Sequence, residues 1–366
     1  MAWIIAIFLM ILTGCGNQQN PTPHSQFVNF SGQTMGTTWH VTCRDTSGKP
    51  LGEFIDSLLV GINDEVSTYI PSSVISRFNQ ADSSFAIAID FEQLFLPDGN
   101  SPAPNWQSGQ AHFVANYIAA SDIFFQTNGY FDPTVMPLVN YWGFGYEPRK
   151  KHSLKDSAAV DSLLDLVGLD RVIHNEFGKS SRLVKSAPGV QLDFSAIAKG
   201  HAVDIIVLLL ESMGVRDALV EIGGEVRAIG MSPRGAPWRI GISTPKEDAA
   251  QGDFERIVSL TNLSLATSGN YRNYYEIDGV KHSHTINPKT GFPEHNTLLS
   301  ASVFSKECRT ADAWATAMMV VGLESAKALT LQNPSIESIL IFGAPDGSTD
   351  VWESPGIQQI LKATNH

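Results

Sequence analysis

The sequence is poor in cysteine and in positive charge. Three cysteines occur in 366 residues, at Cys15, Cys43 and Cys308, and none has a C-x-x-C or similar metal-type spacing. A haem, iron–sulfur or zinc centre is therefore not indicated. The 25 Lys and Arg residues are outnumbered by 37 Asp and Glu residues, which gives a formal net charge of −12. This acidity argues against nucleic acid as a partner.

Two other patterns are missing. The strand–turn–strand segment Asp217–Ile229 contains a Gly-Gly pair but lacks the G-x-G-x-x-G spacing of a dinucleotide-binding unit. No long internal repeat is visible in the sequence. Segments with strand character outnumber helical ones and cluster after residue 215, which favours an α+β fold over a doubly wound fold.

The first fourteen residues contain no charged side chain and are mostly large and apolar. This run is too short for a membrane span, which needs about 20 residues, and has the length of a signal-peptide core. It ends in LTGC, which resembles the lipobox of bacterial lipoproteins. We expect residues 1–14 to be a signal peptide, Cys15 to carry a lipid, and residues 15–26 to be a flexible tether. The alternative is a short N-terminal anchor that stays uncleaved.

The cysteines leave one further question open. If Cys15 is lipidated, Cys43 and Cys308 remain in an exported chain, so a single disulfide is arithmetically possible. Cys43 follows an apolar strand-like run and is equally well interpreted as a small buried residue.

The stretch QLDFSAIAKGHAVD at Gln191–Asp204 combines an extended apolar run with the start of a helix. We expect the chain to turn at Asp193 and Ser195 and these two residues to cap the helix that follows, because short oxygen side chains accept unpaired N–H groups of a first turn. Lys199 adds a cation at a helix start, which favours anions in its own right. The alternative is an ordinary capped core helix.

Apolar periodicity predicts the remaining elements. The predicted helices are Gly52–Ser67, Ala111–Thr127, Ser157–Val167 and, as the final helix, Thr310–Val321. The predicted strands lie in Phe27–Cys43, Asp217–Ile229, Trp238–Ser243, Arg256–Leu265 and Ser338–Phe342. Phe95–Gln110, rich in Pro, Gly, Asn and Ser, is interpreted as a surface insertion.

Three positions carry candidate chemistry. Asp312 and Thr316 are four residues apart on a predicted helix and offer hard oxygens of the kind that Mg2+ prefers; alternatively, Asp312 complements the helix dipole. His284 lies in a loop between turn signals, where a histidine is often functional. Tyr69 follows a helix end and is either an aromatic platform or a core residue.

Eight short motifs occur in one order along the chain, between about residues 30 and 345, and resemble the motif series of the ApbE family. They are TMGT at 34–37, STY at 67–69, FDPTV-x-PLV at 131–139, DFSAIAKG at 193–200, GG at 223–224, TSGNYR at 267–272, HTINP-x-TG at 284–291 and TADA at 310–313. The family consists of FAD:protein FMN transferases, which are typically exported lipoproteins.

The resemblance implies a fold and an activity. It implies an α+β fold of two intertwined α/β parts, with mostly antiparallel or mixed sheets and an FAD cleft between them, formed here by residues 27–366. FAD would bind with Mg2+ on its pyrophosphate. FMN would then pass through a phosphoester bond to a Thr side chain of a target protein, with release of AMP. The expected targets are exported flavoproteins, such as redox-pump subunits, on the periplasmic side of a bacterial cell envelope.

The resemblance also implies site residues. The flavin contacts would be Met35, Tyr69, Tyr130, Phe131, Asp132, Asp193, Lys199 and Ile286. The metal would be held by Asp312, Thr316 and the backbone carbonyl of Ala196. This chain departs from the family pattern at Ala315, where some members carry a second Asp, and at Asn287, where Asp is frequent.

The residue types fit this chemistry. A neutral hydroxyl that attacks a charged phosphorus needs charge neutralisation, from Mg2+ and Lys199, and help with its proton. His284 is the candidate general base, because the ordinary pKa of an imidazole, about 6.5, suits proton transfer at neutral pH. Two alternatives stay open: an FAD pyrophosphatase, in which water is the acceptor, and a non-enzymatic flavin-binding lipoprotein.

Overall fold

An eight-stranded sheet is the scaffold of the chain. The computed structural model describes residues 27–45, 48–88, 109–147, 157–177, 180–245, 254–270, 274–277 and 280–362. In spatial order the strands are β1 (Phe27–Thr34), β2 (Thr37–Arg44), β6 (Ala218–Ile222), β7 (Glu225–Ile229), β10 (Leu263–Gly269), β13 (Leu298–Ser305), β14 (Ile336–Gly343) and β15 (Thr349–Glu353). Each neighbouring pair is antiparallel.

Three smaller sheets surround this scaffold. They contain β3 (Ser84–Ile87), β5 (Ser180–Lys185) and β4 (Val172–Phe177) in that order, β8 (Trp238–Ser243) with β9 (Phe254–Leu260), and β11 (Tyr274–Ile277) with β12 (Val280–Ser283). Their strands also pair antiparallel. The predicted α+β class is confirmed, because antiparallel sheets combine with helices that pack on them rather than alternate with parallel strands.

The described residues form nine α-helices. They are α1 (Leu51–Val66), α2 (Val74–Gln80), α3 (Ala111–Gln126), α4 (Met136–Tyr141), α5 (Ser157–Leu164), α6 (Ala198–Ser212), α7 (Cys308–Val321), α8 (Leu323–Gln332) and α9 (Ile357–Lys362). None of the helices in this part of the chain has the length and apolarity needed to cross a membrane. The expected signal peptide, lipidated Cys15 and tether, and nearly all of the insertion Phe95–Gln110, lie outside the described residues.

The predicted helices agree with α1, α3, α5 and α7 to within a few residues, but α7 is not the final helix. A single residue, Gly322 at φ +75°, separates it from α8. In α8 Ala326 and Thr330 are the buried positions, so its apolar pattern is too sparse to predict a helix from periodicity.

The expected cap of α6 is also wrong. The helix begins at Ala198, and its N-cap residue Ile197 makes no side-chain capping bond. Asp193 and Ser195 form a turn before the helix instead: Asp193 Oδ1 accepts from the Ser195 N–H at 2.8 Å and Oδ2 from the Ser195 hydroxyl at 2.9 Å. An Asp side chain can satisfy a turn as well as a helix start, and here the turn is the one that forms.

Helices α6 and α7 are joined through backbone groups at their first turns. Gly200 N–H of α6 donates to Asp312 Oδ2 of α7 at 3.0 Å. In return, Asp204 of α6 accepts from the backbone N–H groups of Cys308 and Arg309 at 2.9 and 3.0 Å, and also from the Arg227 guanidinium. Asp204 therefore caps α7, whose own N-cap residue makes no side-chain bond.

The backbones of the two helices approach closely at Gly200. A Cβ atom on Gly200 would lie 2.5 Å from the Cys308 carbonyl oxygen and 2.7 Å from Arg309 Cα. Cys308 is buried there as a free thiol, and Cys43 is likewise free and buried in β2. The disulfide that the sequence left open is not formed.

We expect Gly200→Ala to destabilise the protein by about 1–3 kcal/mol, because its methyl group overlaps the backbone of α7. Gly61→Ala is the matched control, since Gly61 lies in α1 and a Cβ there meets nothing within 4 Å. That substitution should stabilise by about 0.5–1 kcal/mol. Urea unfolding of both variants measures the difference; equal effects of the two substitutions would contradict the close crossing.

Candidate active site

A cavity of about 580 Å3 lies where the large sheet meets a smaller part of the chain. One wall comes from the starts of α6 and β7, from β10 and from α7. The other comes from the turn at 130–135 and the loop at 284–288, which share a small apolar core of their own around Leu138, Trp142, Val160 and Ile286. The strand β8 completes the lining.

Most of the predicted site residues line this one cavity. They are Tyr130, Phe131, Asp132, Asp193, Ala196, Lys199, His284, Ile286, Asp312 and Thr316. Because these residues span positions 130 to 316, it is the fold that brings them together.

Met35 and Tyr69 are not among the lining residues. Met35 occupies the β1–β2 turn at φ +49° and packs against the main core. Tyr69 is 68% exposed beyond the end of α1. Partial burial and then the negative charge of Asp193 raise the pKa of Tyr69, so its phenol lies within electrostatic reach of a lining residue. Flavin contact by Met35 and Tyr69 stays a prediction.

A lysine between two carboxylates forms the charged centre of the cavity. Lys199 Nζ lies 3.3 Å from Glu225 Oε1 and 3.7 Å from Asp312 Oδ1. Burial alone would lower the pKa of Lys199, but the charges of Asp312 and Glu225 outweigh burial and raise it above its ordinary value. Lys199 is therefore cationic at neutral pH.

Glu225 was missed by sequence reasoning. It is the first residue of β7, is 4% exposed, and follows Gly223 and Gly224, whose φ angles are +60° and +104°. Burial raises the pKa of Glu225 above its ordinary value, while the charge of Lys199 acts in the opposite direction. A charged residue at the start of a strand, directly after a Gly-Gly turn, was the available signal.

The oxygen donors of α7 suit a hard cation. Thr316 Oγ1 lies 3.2 Å from the Ser268 hydroxyl of β10, and Asp312, on the preceding turn of α7, is 3% exposed. Ala315 is fully buried. Among the described residues, no group of three or more His, Cys, Asp or Glu side chains is placed so that it could hold a metal ion by itself. The Asp312 carboxylate, the Thr316 hydroxyl and the Ala196 carbonyl are ligand types that suit Mg2+. This ion takes few protein ligands and completes its coordination shell with substrate phosphates and water.

The loop that carries His284 is held by hydrogen bonds. Thr285 Oγ1 donates to Asn270 Oδ1 at 3.2 Å, and Thr285 O accepts from the Glu294 N–H at 2.8 Å. Asn287 accepts from the Lys289 N–H and donates to the Glu294 carboxylate. The Asn at this position therefore shapes the loop, and His284 is presented to the cavity from a constrained backbone.

Asp132 lies on the opposite wall. Its Oδ1 accepts from the Thr134 N–H at 2.8 Å and from the Thr134 hydroxyl at 2.6 Å, and the residue is 8% exposed. Burial raises the pKa of Asp132 to about 6, although the Thr134 bonds and the charge of Lys289 lower it in part.

The fold and the cavity define a class: an α+β protein with a cleft of cofactor size that contains a lysine between two carboxylates. The ApbE family profile matches residues 35–340. The FAD:protein FMN transferase of Vibrio cholerae is 37% identical over 350 residues, covering 94% of this chain and 95% of that protein. The FAD:protein FMN transferase of Escherichia coli K12 is 32% identical over 360 residues, with 96% and 95% coverage.

Solved structures agree with these relatives. The flavin transferase ApbE from Vibrio cholerae superposes with a TM-score of 0.77 at 35% identity, covering 92% of this chain and 99% of that one. The apo form of the Pseudomonas stutzeri flavinyl transferase ApbE has a TM-score of 0.76 at 30% identity, covering 92% and 97%. The chain belongs to the ApbE family, and it is an enzyme, as the sequence predicted. The non-enzymatic alternative is therefore set aside.

We expect Asp132→Asn to stabilise the protein at neutral pH. Asp132 holds its proton more tightly in the folded than in the unfolded state, so wild-type stability falls as pH rises from about 4 to about 6. Asn cannot ionise and keeps the acceptor oxygen for Thr134. The variant should gain up to about 3 kcal/mol above pH 6 and little at about pH 4.

Urea unfolding at the two pH values measures this difference. Asp346→Asn serves as a control of opposite sign, because hydrogen bonds from Ser348 lower the pKa of Asp346. That variant should be less stable than wild type at neutral pH, and the deficit should shrink in acid. A pH-independent effect of Asp132→Asn would contradict the raised pKa.

Proposed function

We propose that this protein transfers FMN from FAD through a phosphoester bond to a Thr side chain of a target protein and releases AMP. The observation that carries the proposal is the buried cluster of Lys199, Glu225 and Asp312 in a cavity that also contains His284. The cluster supplies a fixed cation and a metal-type carboxylate where a pyrophosphate would be cleaved. The similarity to proteins named FAD:protein FMN transferase supports the same activity.

FAD would occupy the cavity with its ring near the 130–135 turn and its phosphates near the start of α6. Tyr130, Phe131 and Ile286 offer apolar and aromatic surface for the isoalloxazine ring. Lys199 lies in the first turn of α6, where the helix N-terminus and the ammonium group both favour an anion. Asp132 and Asp193 are hydrogen-bonded carboxylates on the same wall and are expected to orient polar groups of the flavin nucleotide.

Asp312, Thr316 and the carbonyl of Ala196 would hold Mg2+. Bound there, Mg2+ would neutralise phosphate oxygens and make AMP a better leaving group. The Gly200 N–H fixes one oxygen of Asp312, so the orientation of this carboxylate is set before any ligand arrives.

The acceptor hydroxyl would attack the phosphorus of the FMN half of FAD. A new P–O bond to the Thr oxygen forms, the P–O bond to the bridging oxygen breaks, and AMP leaves with that oxygen. The proton of the Thr hydroxyl passes to the imidazole of His284, whose constrained loop borders the cavity. Water in place of Thr would give FMN and AMP, and the same residues would serve that hydrolysis.

We further propose that the enzyme works at the bacterial cell envelope, lipid-anchored through Cys15 with its catalytic domain on the periplasmic side. The support is the uncharged apolar leader of residues 1–14 that ends in LTGC. Its acceptors would then be exported flavoproteins with an accessible Thr.

In-gel flavin fluorescence tests the transfer. The protein is mixed with FAD, Mg2+ and a fusion protein that carries a candidate acceptor Thr. We expect a fluorescent acceptor band that survives denaturation, and its loss with EDTA or with Asp312→Ala, because the metal loses its carboxylate. Asp161→Ala, an exposed carboxylate of α5, is the matched control and should keep the band. AMP and FMN without any band, for every acceptor offered, would favour the pyrophosphatase.

We expect His284→Ala to lower the transfer rate by about 10²- to 10⁴-fold with FAD affinity nearly unchanged, because it removes the proton acceptor and no charge from the phosphate site. His295→Ala is the control, since His295 is exposed and outside the cavity lining. Single-turnover transfer and FAD fluorescence titration measure the two quantities. A full transfer rate in His284→Ala would show that another group takes the proton.

A further inference from the structure

Lys199 and the expected metal compete for one carboxylate oxygen. Asp312 Oδ2 accepts from the Gly200 N–H, whereas Asp312 Oδ1 faces the Lys199 ammonium at 3.7 Å. Under the proposed function, the same carboxylate must bind a divalent cation. An ammonium group that moved fully onto Oδ1 would repel that cation and occupy its ligand.

Glu225 offers Lys199 another partner. Its Oε1 lies at 3.3 Å, nearer to Lys199 Nζ than Asp312 Oδ1 is, and its Oε2 has no hydrogen-bond partner among the described residues. The Glu225 side chain is 6% exposed, so little water is available to replace its interaction with Lys199.

The backbone around Glu225 keeps this arrangement in place. The Gly223 N–H donates to Thr38 O of β2 at 3.1 Å, which fixes the β6–β7 turn. A Cβ on Gly223 would lie 3.5 Å from Lys199 Cδ, so the lysine stem runs along this turn towards Glu225. The aliphatic part of Lys199 therefore passes beside Gly223, and its ammonium group lies next to Glu225.

We propose that Glu225 is a positioning residue that holds the Lys199 ammonium off Asp312, so that Asp312 can bind the metal while Lys199 stays beside the phosphates. The inference rests on the proposed function, since it presupposes a metal at Asp312.

A simpler role for Glu225 makes a different prediction. If Glu225 acts through its negative charge alone, its loss weakens metal binding equally whether or not Lys199 is present. If it acts by holding Lys199, its loss weakens metal binding only when Lys199 is present. A double-mutant cycle separates the two cases.

In the experiment, Mn2+ is titrated into the complex of the full-length protein with FAD, and the concentration of free Mn2+ is measured by EPR. Mn2+ is a suitable probe because it accepts the same oxygen ligands as Mg2+. Glu225→Gln should raise the Mn2+ dissociation constant by about tenfold or more in the wild-type background. In the Lys199→Met background the same change should alter it by less than about threefold. Equal effects in both backgrounds, or no effect in either, would overturn the inference.

Two controls keep the result interpretable. Asp312→Ala should abolish site-bound Mn2+; if wild type shows no Asp312-dependent Mn2+ binding, the metal site of the proposed function is itself wrong and this inference falls with it. Glu225→Asp, which keeps the charge on a shorter stem, enters the same cycle if Glu225→Gln does not fold. It should give a smaller loss that again disappears with Lys199→Met, and a loss that persists there would overturn the inference.

Discussion

The crossing of α6 and α7 is the contact on which the rest of the site depends. Gly200 lets the two helices approach until a backbone N–H of one meets a carboxylate of the other, and Asp204 returns the bond by capping α7. The buried N–H groups at these helix starts would otherwise lack partners, which is costly in a protein interior. The same bonds that satisfy the backbone also set Asp312 and Lys199 on one wall of the cavity.

The proposed function requires positive charge at the cavity of a protein whose overall charge is strongly negative. An acidic surface repels a pyrophosphate unless cations and dipoles at the binding site offset the negative charge. Lys199, the N-terminus of α6 and a metal at Asp312 would supply them in one place, and burial strengthens each of these interactions. Removing one member of such a buried cluster leaves the others uncompensated, so the three charged side chains form a single electrostatic unit.

The two walls of the cavity are supported by different apolar cores. The wall that carries Asp312 and Thr316 belongs to the large sheet and its packed helices, with the extensive apolar core beneath it. The wall that carries His284 rests on a small core around Trp142, whose Nε1–H donates to the Gly291 carbonyl at 2.7 Å. Under the proposed function, the metal and the phosphates would bind at the wall built on the large sheet and would face a proton acceptor on the smaller wall.

Sequence alone was enough to predict the family, the α+β class, helices α1, α3, α5 and α7 and ten of the residues that line the cavity, because motif order and apolar periodicity are local properties of the chain. It predicted the turn at Asp193 and Ser195 but wrongly expected these side chains to cap α6 as well, since a short carboxylate bonds equally well within a turn or at a helix start. It did not single out Glu225 and Asp204, whose partners lie far away along the chain. Whether a buried carboxylate is paired, and with which cation or N–H group, was decided only by the tertiary structure, because electrostatic partners are chosen by proximity in space.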